Sequence, residues 1–320
     1  MSLDFVQVKR TLESLNAPLG AGKVFYVCPE SDSWFSDLVG IQKVSGQVVG
    51  TIQQGVDSCL SGRGDTVVVL PGTYTFQGAA LSVTKDSVTI MGLPGQLEKT
   101  YLSTGRQDEN PGAVTGFNTI DVTGDYVTIS GLNVANGWHN GGTPTRGVIT
   151  VSGDGFTLKD SLISYDTNEG SALNGCKLAG SFSKVINTRF DNCITGGSAL
   201  FLDVSLSTLR NPLIEGCSFV GVNKNADSNF CIGAAATSAN EIYGLLIKGC
   251  TFDPSGTGGG GGEDMLQLIN GTGGKSYEGM IVDCIFGVDV SAAGDVGNVG
   301  ATLRFAGCFG TNGLSTGQPA

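Results

Sequence analysis

The sequence predicts an all-β protein: a single-stranded parallel β-helix closed at its N-terminal end by a capping α-helix. Three observations predict it: a tetrad that recurs eight times, the spacing of its copies, and a composition rich in glycine and poor in charge. The tetrad is an apolar residue, a variable one, then Gly, Asp or Asn, then a residue of buried type. Its copies are Ile90-Met91-Gly92-Leu93, Ile129-Ser130-Gly131-Leu132, Leu158-Lys159-Asp160-Ser161, Val185-Ile186-Asn187-Thr188, Ile214-Glu215-Gly216-Cys217, Ile247-Lys248-Gly249-Cys250, Ile281-Val282-Asp283-Cys284 and Phe305-Ala306-Gly307-Cys308.

Gly, Asn and Asp tolerate a left-handed backbone. The third positions, Gly92, Gly131, Asp160, Asn187, Gly216, Gly249, Asp283 and Gly307, are therefore expected to be corners. In an uninterrupted strand the first and fourth residues would face opposite sides; with a corner between them both point inward. The fourth positions recur at intervals of 39, 29, 27, 29, 33, 34 and 24 residues, which suits one coil plus a loop of variable length. Stacked coils then place Leu132, Cys217, Cys250, Cys284 and Cys308 in one internal row. Two residues further on, Val134, Ile163, Phe190, Phe219, Phe252 and Phe286 form a parallel row, which fails at Gly95 in the first copy and Gly310 in the last.

Composition agrees. Gly accounts for 51 of 320 residues without a collagen period, and hydrophobic residues for 40%, enough for a continuous core. Charged residues are 15%, which suits a wall of Ser, Thr, Asn and Gly or one covered by partner chains. A net charge of −11 with 18 scattered basic residues argues against nucleic acid as a partner. The single His139 lies in a loop-like stretch, Asn136 to Gly142, and is read as a solvated loop residue. The nine cysteines show no Cys-x-x-Cys or Cys/His zinc spacing; the row Cys217, Cys250, Cys284 and Cys308 is read as reduced core packing, Cys28, Cys59, Cys176, Cys193 and Cys231 are left open, and no metal and no cofactor is expected. Met1 to Phe5 followed by Lys9 and Arg10 is no export signal, and no apolar run reaches membrane-span length. Assembly in a reducing cytoplasm and exit by lysis or within a particle are expected.

The chain divides into an N-terminal arm (1–22), an N-terminal strand with a capping helix (23–64), the parallel β-helix (65–310) and a C-terminal tail (311–320). In the arm, 6–15 reads as a short helix. Lys23 to Val27 reads as a strand and 34–44 as irregular. Gln47 to Leu60 has helical periodicity, with Val49, Ile52, Val56 and Cys59 or Leu60 on one face, as needed to cover the open end of a stack. Arg63-Gly64-Asp65 matches a cell-adhesion tripeptide but is read as the turn into Asp65 to Leu70, a buried strand closed by Pro71-Gly72. Two excursions, 94–117 and 256–264, and the tail, 311–320, have no core pattern.

The run Thr51 to Cys59, then Gly64 to Tyr74, then Val88 to Gly92, resembles the opening of pectate-lyase-like right-handed parallel β-helix proteins. With Lys23 to Val27 ahead of it, the form is similar to β-helix proteins encoded beside capsid genes in tailed phages. The likeness covers roughly 23–310 and is specific for fold, not function. Known catalytic sets do not carry over. The Asn-Thr-Asp, Asp-Asp and Gly-His-Gly motifs of polygalacturonase-like hydrolases do not occur. The Arg-x-Pro-x-x-Arg of pectate lyases begins at Arg210-Asn211-Pro212 but meets Glu215 at its last position.

Glycoside hydrolysis needs two carboxyls at matched separation. Asp160 and Asp283 are taken up as corners, Asp253 follows the inward Phe252, and Asp166 and Glu169 lie on the outer wall. The pair to test first is Asp191 with Asp203, against the commoner alternative of solvated acids. The resemblance and the missing catalytic sets imply a structural virion protein, a head decoration or cement protein that contacts major capsid protein and like chains, with trimerisation implied by the resemblance alone. Two competing readings stand. One is a phage tailspike or receptor-binding polysaccharide depolymerase. The other is a carbohydrate-binding β-helix that offers Trp34, Trp138 or Tyr165 to a surface glycan.

Overall fold

The computed structural model describes residues 22–28, 47–76, 79–103, 118–136, 147–165, 174–191, 198–205, 207–221, 230–234, 240–253, 265–268, 277–287, 303–310 and 313–315. The expected helix at 6–15, the segment 34–44, the glycine run Gly258 to Gly262, and His139, Cys193, Trp34, Trp138, Asp166 and Glu169 lie outside them, as does the side chain of Tyr165.

The chain winds as a right-handed parallel β-helix of three sheets. Each coil supplies a short strand to the first sheet, turns once into the second, crosses to the third and returns. Among the described residues the first sheet has twelve strands, the second ten and the third seven. Consecutive copies of the tetrad lie in register in the first sheet: Ile90, Ile129, Leu158, Val185, Ile214, Ile247, Ile281 and Phe305 are successive partners. All of them are buried. Parallel sheets that face one shared interior bury every inward position, which is why these strands read as Ile, Leu and Val.

The one-residue corner explains the inward turn of the second sheet. Gly131, Asp160, Asn187, Gly216, Gly249, Asp283 and Gly307 all have φ between 48° and 66°. Beyond them, Leu132, Ser161, Thr188, Cys217, Cys250, Cys284 and Cys308 are buried. The thiols are free. Each S–H of the row reaches a carbonyl two residues back, as from Cys284 to Val282 at 3.3 Å.

Gly92 departs from the expectation, because its φ is not left-handed. The strand Thr89–Gly92 runs on without a corner, so alternation turns Leu93 outward. It joins Tyr26, Cys28, Val68, Leu70 and Met91 in a separate buried apolar cluster. Glycine is required at 92 for a different reason: a Cβ there would collide with the Gly131 carbonyl oxygen of the next coil.

The phenylalanine row is a continuous stack. Phe190, Phe219, Phe252 and Phe286 follow one another with ring centroids 4.9, 5.0 and 4.7 Å apart and planes within 6° of parallel. Above them the row does not stop at Gly95. A short 3₁₀ turn, Leu97–Lys99, carries the first coil outward, and the row resumes at Leu102 and Tyr74.

The N-terminal cap is shorter than its periodicity predicts. Helix α1 is Ile52–Ser58 alone, while Val48–Val49 forms a strand beside Tyr26–Val27. The reason is Thr51, whose hydroxyl accepts the Gln54 N–H while the Gln54 side chain accepts the Thr51 N–H, a capping box that sets the start. Ile52 and Val56 are buried against the first coil. Asp65 of the adhesion-like tripeptide is buried and bound to Arg63. Leu70-Pro71-Gly72 is no hairpin turn: it joins Thr66–Val69 of the first sheet to Gly72–Thr75 of the second.

At the other end, Gly313–Ser315, expected as tail, adds an antiparallel strand to Cys308–Gly310. It pairs the open hydrogen-bonding edge that the last rung would otherwise present.

Candidate functional site

Chemistry on a β-helix must stand on its outer wall, so the outward residues of each sheet decide what the protein can do. On the third sheet the central outward row is Ser82, Asp121, Thr150, Lys177, Phe201 and Gly233, in register. Asp121 accepts from Asn118, whose own carbonyl oxygen takes the Gly147 N–H at 2.7 Å. Asp203 follows the strand Ser198–Leu202 and is buried beside Lys177, with Nζ to Oδ2 at 2.7 Å. Burial alone would raise its carboxyl; the Lys177 ammonium and the Ser205 hydroxyl and N–H outweigh that and hold it below the usual carboxylate range.

Asp191 ends the strand Arg189–Asp191 of the second sheet and pairs with Arg189 at 2.8 Å. The structure does not bring Asp191 and Asp203 together. They look out from the walls of two different sheets, and each is held by its own cation. Asp160 and Asp283 stand at corners, where Asp160 accepts from the Asn187 amide at 3.3 Å. Among the described residues no three His, Cys, Asp or Glu side chains are grouped as a metal site. Burial makes Cys59 and Cys176 poor nucleophiles, pushing Cys59 up to about 12 and raising Cys176 further.

Lys177→Met therefore has a structural consequence. It leaves a buried carboxylate without its cation, which costs about 2 kcal/mol after allowance for the half-exposed lysine. Urea unfolding at neutral pH measures it. Acidification restores part of the loss, because protonated Asp203 no longer needs the ammonium.

A second corner row, between the third sheet and the first, was not anticipated. Ser87, Tyr126, Gly155, Phe182, Asn211 and Gly244 all have φ between 49° and 69°. The N–H groups of Ser87, Tyr126, Gly155, Phe182 and Asn211 bond down the row, as Tyr126 to the Asp154 carbonyl at 2.7 Å and Phe182 to the Arg210 carbonyl at 2.7 Å. The preceding residues build a side-chain ladder. Asp86, Asp125 and Asp154 each accept the next coil's N–H, from Asp125, Asp154 and Ser181, at 2.9, 2.8 and 2.7 Å. The Asp125 N–H, then the Ser61 hydroxyl, hold Asp86 below the usual carboxylate range. Gly153 and Gly180 lie one residue earlier, where a Cβ would strike the carbonyl of the coil above. The repeated Asp-x-(Val/Phe)-Thr-(Ile/Leu) at Asp86, Asp125 and Asp154 was the sequence signal for this row.

Among the described residues, large apolar side chains are exposed at three places: Leu60 just after helix α1, the second corner row, and the last two coils. Tyr126 and Phe182 on the second corner row are 66% and 47% exposed. Met280, Ile285 and Phe309, on the last two coils, are 47%, 53% and 51% exposed. Met280 belongs to the outer face of the first sheet, and Ile285 and Phe309 are register partners on the second.

No family model and no curated protein matches the sequence. Among solved structures the chain is similar to pectate lyase Pel9A, with 13% identity over 94% of this chain and 80% of that one and a TM-score of 0.51. It is similar to pectin methylesterase PemA from Erwinia chrysanthemi, with 11% identity over 92% and 90% and a TM-score of 0.54. A more distant likeness is to ORF18 of Geobacillus virus E2, with 14% identity over 89% and 66% and a TM-score of 0.42. At such identities the shared property is the architecture: the chain has the pectate-lyase-like parallel β-helix fold.

Proposed function

We propose that the protein is a structural component of a tailed-phage particle, a head decoration or cement protein that acts by rigid contact. The observation that carries this reading is the placement of Met280, Ile285 and Phe309. Three large apolar side chains stand in water on adjoining coils at the C-terminal end of the rod. Ile285 and Phe309 adjoin on the second sheet and Met280 stands across the Asp283 corner on the first, and exposed apolar groups at one end of the rod suit a contact surface. The acids that could have formed a catalytic pair are instead engaged with Lys177 and Arg189. The partners are the major capsid protein and like chains, as a homotrimer, and the place of action is the virion.

Purified heads stripped of the protein provide the test. Added wild-type chain co-sediments with them and raises their resistance to heat. Phe309→Asp with Met280→Asp weakens that association by at least about 100-fold, because each removes a buried apolar contact worth about 1.5–3 kcal/mol. Antibody labelling lands on the head surface. Label at the tail tip supports the spike reading instead, and absence from particles removes both.

A further inference from the structure

We propose that the corner carrying Tyr126 and Phe182 binds a neutral polysaccharide chain lying along the helix axis. The first ground is conformational. Both residues sit in the left-handed region, at φ 56° and 59°. Bulky side chains rarely adopt that conformation, and strain of this kind is concentrated at functional sites. Four other coils fill the same position with Ser87, Gly155, Asn211 and Gly244, so the corner itself asks for a small residue. The aromatic rings are not required to make the turn.

The second ground is exposure. Tyr126 stands largely in water and Phe182 is about half exposed, and neither belongs to the core. The Tyr126 ring leans across the next coil. It fills the space a side chain on Gly155 would need, with Cδ1 2.5 Å from the position of such a Cβ. Tyr126 thus covers Gly155, and Phe182 stands on the coil that follows, so the two rings form successive apolar plates along one corner. The backbone positions that carry them are two rungs apart, about 9.6 Å, close to the length of a disaccharide in an extended pyranose chain. The C–H face of a sugar ring packs on an aromatic ring, so alternate sugars would meet successive plates.

The surroundings supply the polar half of such a site. Asp125 and Asp154 are exposed beside the plates, Ser181 lies between them and Phe182, and Asn211 follows in the next coil. These groups accept or donate to hydroxyls. Further along, the Arg210 guanidinium lies 5.5 Å from the Tyr243 ring centre and extends the flat surface. The sign of the charge selects the ligand. The Asp86, Asp125 and Asp154 ladder, on a chain of net charge −11, repels uronates and nucleic-acid phosphates. An uncharged glycan meets no such penalty.

Affinity electrophoresis of the full chain tests this, in native gels cast with laminarin, galactomannan, dextran or polygalacturonate. The wild type is expected to be retarded by at least one of the three neutral polymers and not by polygalacturonate. Tyr126→Ala and Phe182→Ala each weaken that retardation at least tenfold. Tyr126→Gly separates binding from folding: it removes the plate and relieves the left-handed strain, so retardation falls while the melting temperature holds or rises. Three results overturn the proposal: no neutral polymer retards the wild type, polygalacturonate retards it, or the Tyr126→Ala/Phe182→Ala double variant is retarded like the wild type. None of these outcomes depends on where the protein sits in a particle.

Discussion

Phe219→Ala is expected to remove about 3–5 kcal/mol of folding stability. Phe219 is fully buried in the middle of the aromatic stack, between Phe190 at 4.9 Å and Phe252 at 5.0 Å. The near-parallel rings follow from the parallel register of Arg189–Asp191, Ser218–Val220 and Thr251–Asp253, which sets identical side chains one rung apart. Face-to-face stacking is not the preferred aromatic geometry. The stabilisation therefore comes from burial and close packing, and truncation forfeits both while leaving a cavity with two aromatic walls. The rigid rungs above and below limit collapse into that cavity, which places the cost in the upper part of the range. Phe219→Leu, which nearly fills the space, should cost less than about 1.5 kcal/mol. Guanidinium unfolding of both variants measures the difference. A Phe219→Ala loss below that of Phe219→Leu would mean that the coils buckle inward and that the stack is not a rigid column.

The same column shows why much of the fold was legible in the sequence. A corner made by one residue can be filled only by types that accept a left-handed φ, so Asp160, Asn187 and Asp283 betray their geometry by identity. The Cys and Phe rows follow from that registration, since every later inward position is counted from the corner. Gly92 misleads because glycine answers two demands, left-handed φ and lack of space for a Cβ, and the letter does not say which. The second corner row was missed for the opposite reason: Tyr126 and Phe182 violate the compositional rule by which corners are recognised.

The wall was less legible than the core. Arg189 stands two residues before Asp191 on the same face, so that ion pair could be counted along a strand. Lys177 reaches Asp203 from the previous coil, 26 positions back, and only the register of Asn174–Leu178 with Ser198–Leu202 reveals the pair. Contacts between coils depend on loop lengths that have no period. Side chains that act across coils are thus hidden from a reading along the chain, while those that point into the shared interior are not.

Asp65→Ala should be the most damaging change at the N-terminal end, at about 3–4 kcal/mol. The buried Asp65 carboxylate binds four donors at once. It takes the Lys23 N–H at 2.7 Å, the Leu60 N–H at 2.8 Å, and the Arg63 guanidinium through two bonds at 2.5 Å. Those donors come from the first strand, the exit of helix α1 and the turn into Thr66–Val69, so one side chain joins the cap to the first coil. Its loss leaves two N–H groups and a cation without their acceptor, where no other acidic group replaces it in these bonds. The effect carries a pH signature. Burial works to raise this carboxyl, but Arg63 and the two N–H groups win and set it below its unfolded value. A depressed folded value means that the unfolded chain binds the proton more readily. The stabilisation is then fully present above about pH 4, the ordinary Asp value, and is lost as pH falls through the lower folded value. Urea unfolding from pH 7 down to pH 2 should show the wild type losing stability in that window, and Asp65→Asn losing less because it has no charge to neutralise. If both follow the same curve, the cap is not held by this carboxylate, and the apolar face of Ile52 and Val56 must hold the first coil without it.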